Sequence, residues 1–337
     1  MRAVIVRNVN QALHMLVESS ITADWEEIAP RGGEMTLECP TPFCTTYEFP
    51  MERVLFDPVR DANPFFHLFE SLWMLAARRD VASLAWFNGR MASYSDNGRT
   101  FHGAYGYRLR THWGVDQLEE ARMMLQQNSD TRRCVLSIWD TEIDLARESK
   151  DIPCNDLLMF KIREGRLNMT VCCRSNDAIW GAYGANAVHF SMIQEYLAWK
   201  VGVPVGVYRQ ISDSFHVYTA NEKWQALRDT RHKRKLADPY VTGMVSPYPI
   251  GNETDSVTEW EMDNHALWVQ DMRLAHDTWN PITTWHKHVA LPLLRAWNAY
   301  KTKMPSVAVK LAEHCVASDW RIAAIQWLDR HSKGSEA

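Results

Sequence analysis

The stretch "LLMFKIREGRLNMTVCCRS", residues 157–175, decides the fold. It contains two apolar, strand-like runs on either side of Glu164-Gly165, a pattern typical of a β-hairpin with a tight turn. A single thiol, Cys154 in "PCN", stands just before the first run. The stretch therefore predicts a sheet with a cysteine at the entrance to the first strand of this hairpin.

The patterns around this hairpin alternate between helix and strand. "PFFHLFESLWMLAAR", from Pro64, is apolar on all sides and predicts a buried helix. "CVLSIW" (134–139) and "VPVGVYRQIS" (203–212) predict strands, "NAVHFSMIQEYLAWKVG" a helix ending at Gly202, and "HVYTANEKWQALRD" the start of another. This order favours an α+β fold in which helices flank a large mixed or antiparallel sheet.

The composition changes after about residue 230. Three segments of the tail predict helices: "HVALPLLRAWNAYKTK", "SVAVKLAEHC" and "SDWRIAAIQWLDRH". We therefore expect a catalytic domain over residues 1–255 and a helical C-terminal extension over residues 256–337 that packs on it.

Composition and charge limit the classes of function that the chain can have. The 337 residues are 46% hydrophobic and include 15 Trp, enough for a large core. A net charge of −4 argues against a general nucleic-acid binder. Seven scattered cysteines do not suggest a disulfide framework, so we expect a reducing, cytoplasmic compartment. No apolar run is long enough for a membrane helix, and we expect no membrane partner.

Cys154 is the first candidate for chemistry, because a thiolate beside cations is a good nucleophile. A lone cysteine before a strand is more often core filling. The arginines on either side of it in the sequence favour the catalytic interpretation. Arg132 and Arg133 in "DTRR" lie upstream and Arg174 lies downstream, and guanidinium groups suit phosphate well. Each arginine alone is more simply explained by a surface ion pair.

The downstream motif "RSND" adds further polar groups. Ser175 offers a donor to a phosphate, and Asp177 offers an acceptor to a ring N–H. Asn186 stands at a predicted helix start, where it either caps the helix or reads a base edge through its amide. His216 and Tyr218 are two residues apart and share a face if the chain there is extended.

These pieces resemble the folate-dependent thymidylate synthase family. The resemblance covers roughly residues 1–230, and its motifs stand in the family's order. The matching segments are "ESLWML" with Glu70, "HGAYGYRLR" with Tyr105, "DTRR", "PCN", "RSND", "GAN" with Asn186, and "FHVY" with His216 and Tyr218.

The resemblance implies a thymidylate-synthase-like fold and covalent catalysis. Cys154 would add to C6 of a pyrimidine nucleotide, so that C5 attacks 5,10-methylenetetrahydrofolate, the co-substrate. Arg174 and Ser175 would hold the 5′-phosphate. Arg132 and Arg133 would reach that phosphate from the partner subunit, which implies an obligate homodimer.

The resemblance also assigns other substrate contacts. Arg31 in "PRGGE" is similar to a phosphate-loop arginine. His216 and Tyr218 would bind the sugar 3′-hydroxyl, and Asn186 would read the base edge.

Three further roles concern the cofactor and proton transfer. Asp177 would bind the pterin ring of the folate. Glu70 would organise proton transfer through water, and Tyr105 would take part in removing the C5 proton. The mechanism implied by the resemblance needs no metal.

Four features depart from the family pattern. Asn155 follows the cysteine where the family has His, so we place Asn155 among the substrate-binding residues. The segment "GRMASYSDNGRTF" has no Trp, the "GAYGAN" loop is one residue longer, and a helical tail stands where the family's short C-terminus closes the site.

These departures favour a 5-hydroxymethylase over thymidylate synthase proper. Reductive methylation requires a dry site, and loss of the Trp and of the lid would admit water. The base stays open between uracil and cytosine, because the Asn186 amide fits either one when turned over. Ser175, with the paired arginines, keeps the deoxynucleotide pattern, so the substrate is expected to be dUMP or dCMP.

Three alternatives remain at this point. A cysteine hydrolase would use Cys154 with His216, but it leaves the arginines and "RSND" unexplained. A non-catalytic nucleotide- or RNA-binding homologue would use "RHKRK" at 231–235, which more simply is a solvated helix end. A zinc site at His276, His286 and His288 lacks a further ligand at a familiar spacing.

Overall fold

A computed structural model describes residues 1–18, 20–30, 33–233, 237–252 and 254–332. The chain divides into two compact units, each discontinuous in sequence. Unit 1 comprises Met1–Ala62, Gln117–Thr141 and Pro153–Thr242, and unit 2 comprises Asn63–Asp116, Glu142–Ile152 and the chain from Gly243 onward. The expected boundary at residue 255 stays a prediction.

One mixed sheet forms the framework of unit 1, which confirms the predicted fold class. Its order is β1-β4-β8-β7-β6-β5, and β3 joins β2 to the edge of β8. The described residues give these strands: β1 (Arg2–Val6), β2 (Glu26–Ile28), β3 (Thr36–Glu38), β4 (Phe43–Tyr47), β5 (Val135–Ser137), β6 (Asn155–Arg163), β7 (Arg166–Asp177) and β8 (Val205–Tyr218).

The predicted hairpin is the β6–β7 pair, and its turn lies at Glu164 and Gly165. Both residues have positive φ, 54° and 69°, a conformation that glycine adopts without strain. β7 then runs parallel to β8, so Asp177, the last residue of β7, pairs with His216, two residues before the end of β8. Functional side chains at the ends of both strands are thereby brought to one edge of the sheet.

Helices complete both units. Their bounds are α1 (Val9–Glu18), α2 (Pro64–Leu75), α3 (Val81–Phe87), α4 (Tyr105–Arg110), α5 (Gln117–Gln127), α6 (Thr141–Asp144), α7 (Asn186–Val201), α8 (Glu222–Thr230), α9 (Val257–Trp268), α10 (Ala275–Thr278), α11 (Leu291–Lys301), α12 (Pro305–Ala312) and α13 (Ser318–Ser332). None of the described helices has the length and apolar character needed to cross a membrane.

Most predicted elements are confirmed, including α2, α7 with left-handed Gly202 at its end, and the three C-terminal helices. One prediction was wrong. "HVY" does not begin a helix, because β8 continues through Tyr218 and α8 begins only at Glu222. The strand extends because β3 pairs with its last three residues and satisfies their backbone groups.

One face of the sheet is covered by a helix, and the other is more exposed. α7 packs on β7 and β8 and is buried along nearly its whole length. On the opposite face, strand register places Leu157, Cys172 and Ile211 side by side, and all three are only half-buried in the single chain. The described residues of unit 1 therefore cover this partly apolar sheet face only in part, and we call it the open sheet face.

Within unit 2, α4 lies against α2 at a glycine. A Cβ on Gly106 would lie 1.9 Å from the carbonyl oxygen of Met74, a backbone atom that cannot move aside cheaply. Glu70 lies on α2 and Tyr105 begins α4, so this close approach fixes the spacing of the helices that carry both residues.

Gly106→Ala is therefore expected to lower the free energy of unfolding by about 1–3 kcal/mol, the usual cost of overpacking. Gly89→Ala is the matched control, because nothing lies within 4 Å of a Cβ at that position. Urea denaturation of both variants measures the difference. Equal midpoints would contradict the close approach of α4 to α2.

Candidate active site

Cys154 lies at the entrance to β6 as a half-buried thiol outside any disulfide. Its carbonyl oxygen accepts a hydrogen bond of 2.9 Å from the Arg174 amide, so the β6–β7 pairing continues to the cysteine. The Arg174 side chain donates from Nε to the carbonyl oxygen of Pro153 at 2.8 Å. Its Nη2 lies 3.7 Å from the Cys154 sulfur. The structure thus brings these two predicted residues together and holds a positive charge beside the thiol.

Two residues that sequence reasoning missed border this pair. The Arg174 guanidinium carbon lies 5.9 Å from the centre of the Trp139 ring. Asp156 occupies the β-bulge after Asn155, and its carbonyl oxygen accepts hydrogen bonds from the amides of Ile138 and Trp139. Burial raises the pKa of Asp156 to about 6, and the charge of Arg174 opposes that shift. A charged residue inside an apolar strand pattern was the available signal for Asp156.

A chain of amides lies behind the cysteine. Asn155 donates to Oδ1 of Asn186 at 3.4 Å, and Asn186 donates to Oδ1 of Asn176 at 3.1 Å. Asn176 in turn donates to Oγ of Ser212 at 3.0 Å. All four residues are buried. We call Asn155, Asn186, Asn176 and Ser212 the amide relay; it fixes which end of the Asn186 amide is the oxygen.

The side-chain contacts of Asn186 bear on the two roles considered for it. The residue begins α7, and its amide bonds Asn155 and Asn176. Recognition of a base edge by Asn186 stays a prediction. Gly181 makes the arrangement possible, because a Cβ there would lie 2.6 Å from Oδ1 of Asn176 and 3.2 Å from Nδ2 of Asn186. Each amide hydrogen and lone pair not used in the relay remains available for a ligand. One buried acceptor, Oδ1 of Asn155, has no hydrogen-bond partner within the described residues.

The longer "GAYGAN" loop takes a defined form. Ala178–Ala185 is a π-helical segment, interrupted at Tyr183 and Gly184 by non-helical backbone angles. Such segments are frequent at functional sites. The buried side chain of Arg60 holds this segment in place, because its Nε donates to the carbonyl oxygen of Ile179 at 2.7 Å. Burial lowers the pKa of Arg60 to about 10.

Asp177 caps this segment at the end of β7. Its Oδ1 accepts hydrogen bonds from the amides of Ile179 and Trp180. Its Oδ2 is buried and has no hydrogen-bond partner in the described chain. Burial raises the pKa of Asp177, and the amide hydrogen bonds and the charges of His216 and Arg60 oppose the shift. One carboxylate oxygen therefore bonds the backbone of this segment, and the other is a candidate acceptor for a ligand N–H.

His216 and Tyr218 share a face of β8, as their spacing predicts. Their rings meet edge to face, with centroids 5.3 Å apart. Nδ1 of His216 lies 3.2 Å from the Ser214 hydroxyl, which donates to Glu38 at 2.7 Å. His216 is buried and Tyr218 is half-buried. Ser175, also half-buried, pairs with Ser214 across the parallel strands and so belongs to the same edge.

The remaining predicted residues lie elsewhere. Arg132 and Arg133 are exposed on the loop between α5 and β5 of unit 1. Arg31 lies outside the described residues. Glu70 and Tyr105 belong to unit 2, on α2 and at the start of α4.

Sequence reasoning also missed Asn176 and Ser212, two members of the amide relay. Asn176 stood within "RSND", and its position two residues after Arg174 was the only available signal. The contact with Ser212 depends on the register of β7 against β8. A histidine of the zinc alternative, His286, is buried among aromatic rings, and burial lowers its pKa to about 3.

Taken together, unit 1 presents a thiol, a fixed guanidinium, an orienting amide and an acceptor carboxylate oxygen. Such a set suits nucleophilic attack on a planar, amide-containing ring that carries an anionic group. No group of three or more His, Cys, Asp or Glu side chains in the described part of the chain is placed to hold a metal ion.

Comparison with known proteins places the chain. The family model described as thymidylate synthase matches residues 59–248. A deoxyuridylate hydroxymethyltransferase of Pseudomonas phage M6 is 43% identical over 100% of this chain and 96% of its own length. The protein of the same name from Bacillus phage SP01 is 39% identical over 61% of this chain and 56% of its own. A putative thymidylate synthase of Methanothermobacter marburgensis is 35% identical over 62% and 89%. The chain belongs to the thymidylate synthase family.

Proposed function

We propose that the protein transfers a one-carbon unit to C5 of deoxyuridine 5′-monophosphate and yields the 5-hydroxymethyl product, using methylenetetrahydrofolate and water. One observation carries this conclusion. The Cys154 thiol and the Arg174 guanidinium lie 3.7 Å apart in a chain that matches a deoxyuridylate hydroxymethyltransferase over its whole length.

Cys154 is the nucleophile in this proposal. The adjacent guanidinium favours thiolate over thiol by Coulomb attraction. Addition of the thiolate to C6 makes C5 a carbon nucleophile, and a thiolate leaves again readily when the ring double bond re-forms. Arg174 and Ser175 hold the 5′-phosphate, together with Arg31, and His216 with Tyr218 holds the sugar hydroxyl.

The amide relay orients the base. Asn186 keeps one amide hydrogen and one carbonyl lone pair outside the relay, which match uracil O4 and N3–H. Asn155, which stands where the family has a histidine, adds a buried carbonyl oxygen beside it. An imidazole would offer a titratable ring at this place, whereas the Asn155 amide is neutral at every pH.

Methylenetetrahydrofolate supplies the one-carbon unit when it is bound. The buried Oδ2 of Asp177, without a partner among the described residues, fits the N–H groups of a pterin ring. Glu70 and Tyr105 are the proposed proton-handling groups, in water organisation and in removal of the C5 proton.

Access of water favours hydroxymethylation over methylation. The segment that lacks the family's Trp is "GRMASYSDNGRTF", residues 89–101; its first part, Gly89–Tyr94, is a 3₁₀ turn without a buried residue, and Tyr94 is 51% exposed. The family's Trp would exclude water from the reaction, and this segment supplies no indole for that purpose. Thymidylate synthase proper stays the second candidate, because relatives named putative thymidylate synthase also match the chain.

We also propose that the protein is a homodimer. The half-buried row of Leu157, Cys172 and Ile211 on the open sheet face is the expected contact surface, and exposed Arg132 and Arg133 would reach the partner's phosphate site from its edge. All seven cysteines, each among the described residues, lie outside any disulfide, which suits a reducing compartment, and we place the enzyme in the cytoplasm.

The product decides between the two chemistries. After incubation with methylenetetrahydrofolate and dUMP, mass analysis should show a nucleotide heavier by CH2O. A gain of CH2 with dihydrofolate would establish thymidylate synthesis instead. A reaction with dCMP in preference to dUMP would contradict the assignment of the base, and an unchanged nucleotide would contradict the enzyme.

Cys154→Ala is expected to abolish product formation, because no other group supplies the covalent step. Cys315→Ala is the matched control: the same substitution removes a thiol of unit 2, outside the proposed site and the proposed dimer surface, and should retain activity. Steady-state rates on dUMP measure both. Substantial turnover by Cys154→Ala would refute covalent catalysis through this thiol.

Each proposed site combines Cys154 of one subunit with Arg132 and Arg133 of the other. Two inactive variants should therefore restore activity when they are mixed. In a mixture of Cys154→Ala with the double variant Arg132→Ala, Arg133→Ala, each mixed dimer has one complete site. Free exchange of subunits should restore about a quarter of wild-type activity, because about half of the dimers are mixed. Persistent inactivity, with mixed dimers demonstrated by native mass spectrometry, would place the arginines in their own subunit's site.

A further inference from the structure

Unit 2 contains a pocket of about 230 Å³ to which no residue of the proposed nucleotide and folate sites contributes. Its lining is rich in basic side chains. The charged and titratable residues around it are Arg79, Asp96, His102, Arg108, His112 and Arg147.

The inner part of this basic pocket is rigid. Asp144, which is fully buried, accepts hydrogen bonds from Nη1 and Nη2 of Arg108 at 3.2 and 2.9 Å. Its Oδ1 also lies 2.6 Å from Nε2 of His102. Arg108 is 1% exposed. The two basic groups are therefore held in place before any ligand binds, and the carboxylate that holds them does not itself line the pocket.

Two exposed arginines, Arg79 and Arg147, form the outer part of the basic pocket. The Arg79 guanidinium lies 4.4 Å from the centre of the Tyr107 ring and meets no carboxylate in the described part of the chain. Arg147 lies 4.0 Å from Asp96, a carboxylate already bonded to the Ser149 hydroxyl and the Lys150 amide. Three guanidinium groups and one carboxylate, Asp96, line the pocket itself. Asp144 and Asp151 act on Arg108 from outside the lining.

We propose that this basic pocket binds a phosphate-class anion, either free phosphate or the phosphoryl end of a nucleotide. The volume is below the usual range for drug-sized ligands, so it fits a small anion or the end of a larger one. Guanidinium groups that converge from separate helices and loops suit a tetrahedral oxyanion, whereas a planar carboxylate is met by one guanidinium fork.

The helix that carries Arg108 also begins with Tyr105, so the pocket borders an element of the proposed chemistry without sharing its residues. This inference does not depend on the proposed function, because it concerns different side chains and a binding event alone.

Isothermal titration of the full chain with inorganic phosphate tests the proposal. Arg174→Gln provides the background, since it weakens the other phosphate site. In this background, phosphate should still bind, and adding Arg79→Gln with Arg147→Gln should weaken binding at least about tenfold, as loss of charge-assisted hydrogen bonds does. Both replaced residues are exposed, and their melting temperatures without phosphate verify folding.

Arg273→Gln is the matched control. Its guanidinium is 69% exposed and pairs with Asp271 on the surface of unit 2, so its loss should leave phosphate affinity unchanged. Absence of phosphate binding in the Arg174→Gln background would overturn the proposal. So would equal affinity with and without Arg79 and Arg147, or equal competition by glutamate as a carboxylate probe.

Two titrations identify the source of the phosphate. dUMP and deoxyuridine are compared in the same Arg174→Gln background. Binding of dUMP that depends on Arg79 identifies a nucleotide site, whereas binding of inorganic phosphate alone identifies a small-ion site. Binding of deoxyuridine that depends on Arg79 would contradict recognition through phosphate.

Discussion

The fixed contact between Arg174 and Cys154 is the constraint on which the active site depends. The strand pairing of β6 with β7 continues to Cys154, and the Arg174 side chain is anchored a second time at the Pro153 carbonyl oxygen. At 3.7 Å and an effective dielectric constant of about 20, a guanidinium attracts a thiolate by about 4 kcal/mol before solvent exposure reduces the effect. The backbone thus places the positive charge beside the proposed nucleophile.

The rest of unit 1 is arranged around this contact by strand register. Because β7 and β8 are parallel and paired up to the end of β7, Asp177 and His216 stand side by side at one edge of the sheet. The amide relay is tied to the same register, since Asn176 on β7 bonds Ser212 on β8 and Asn186 on α7. A buried polar network of this kind is costly when incomplete. The relay leaves Oδ1 of Asn155 unpaired, and Oδ2 of Asp177 also has no hydrogen-bond partner among the described residues, so both are the proposed acceptors for a ligand.

Local pattern was enough to predict the hairpin, α2, α7 and the tail helices, because apolar runs there are bounded by turn or cap residues such as Pro64, Gly165 and Gly202. The end of β8 was not predictable in this way. Its residues "DSFHVY" are extended because β7 pairs with residues 214–216 and β3, from a distant part of the chain, pairs with residues 216–218. The named site residues came from motif order, whereas the contacts of Asn176 with Ser212 and of Arg60 with Ile179 depend on tertiary structure that no local pattern encodes. The basic pocket was likewise not predictable from local pattern, because Asp144 bonds Arg108, a residue 36 positions away in the sequence.

The rate at which iodoacetamide alkylates Cys154, followed by mass spectrometry of its peptide at pH 7, tests the role of Arg174 most directly. Wild type, Arg174→Gln and Arg174→Lys should be compared without nucleotide. We predict that the glutamine variant reacts about tenfold more slowly and that the lysine variant recovers part of the rate, because the positive charge favours the thiolate. Equal rates in all three proteins would contradict the account.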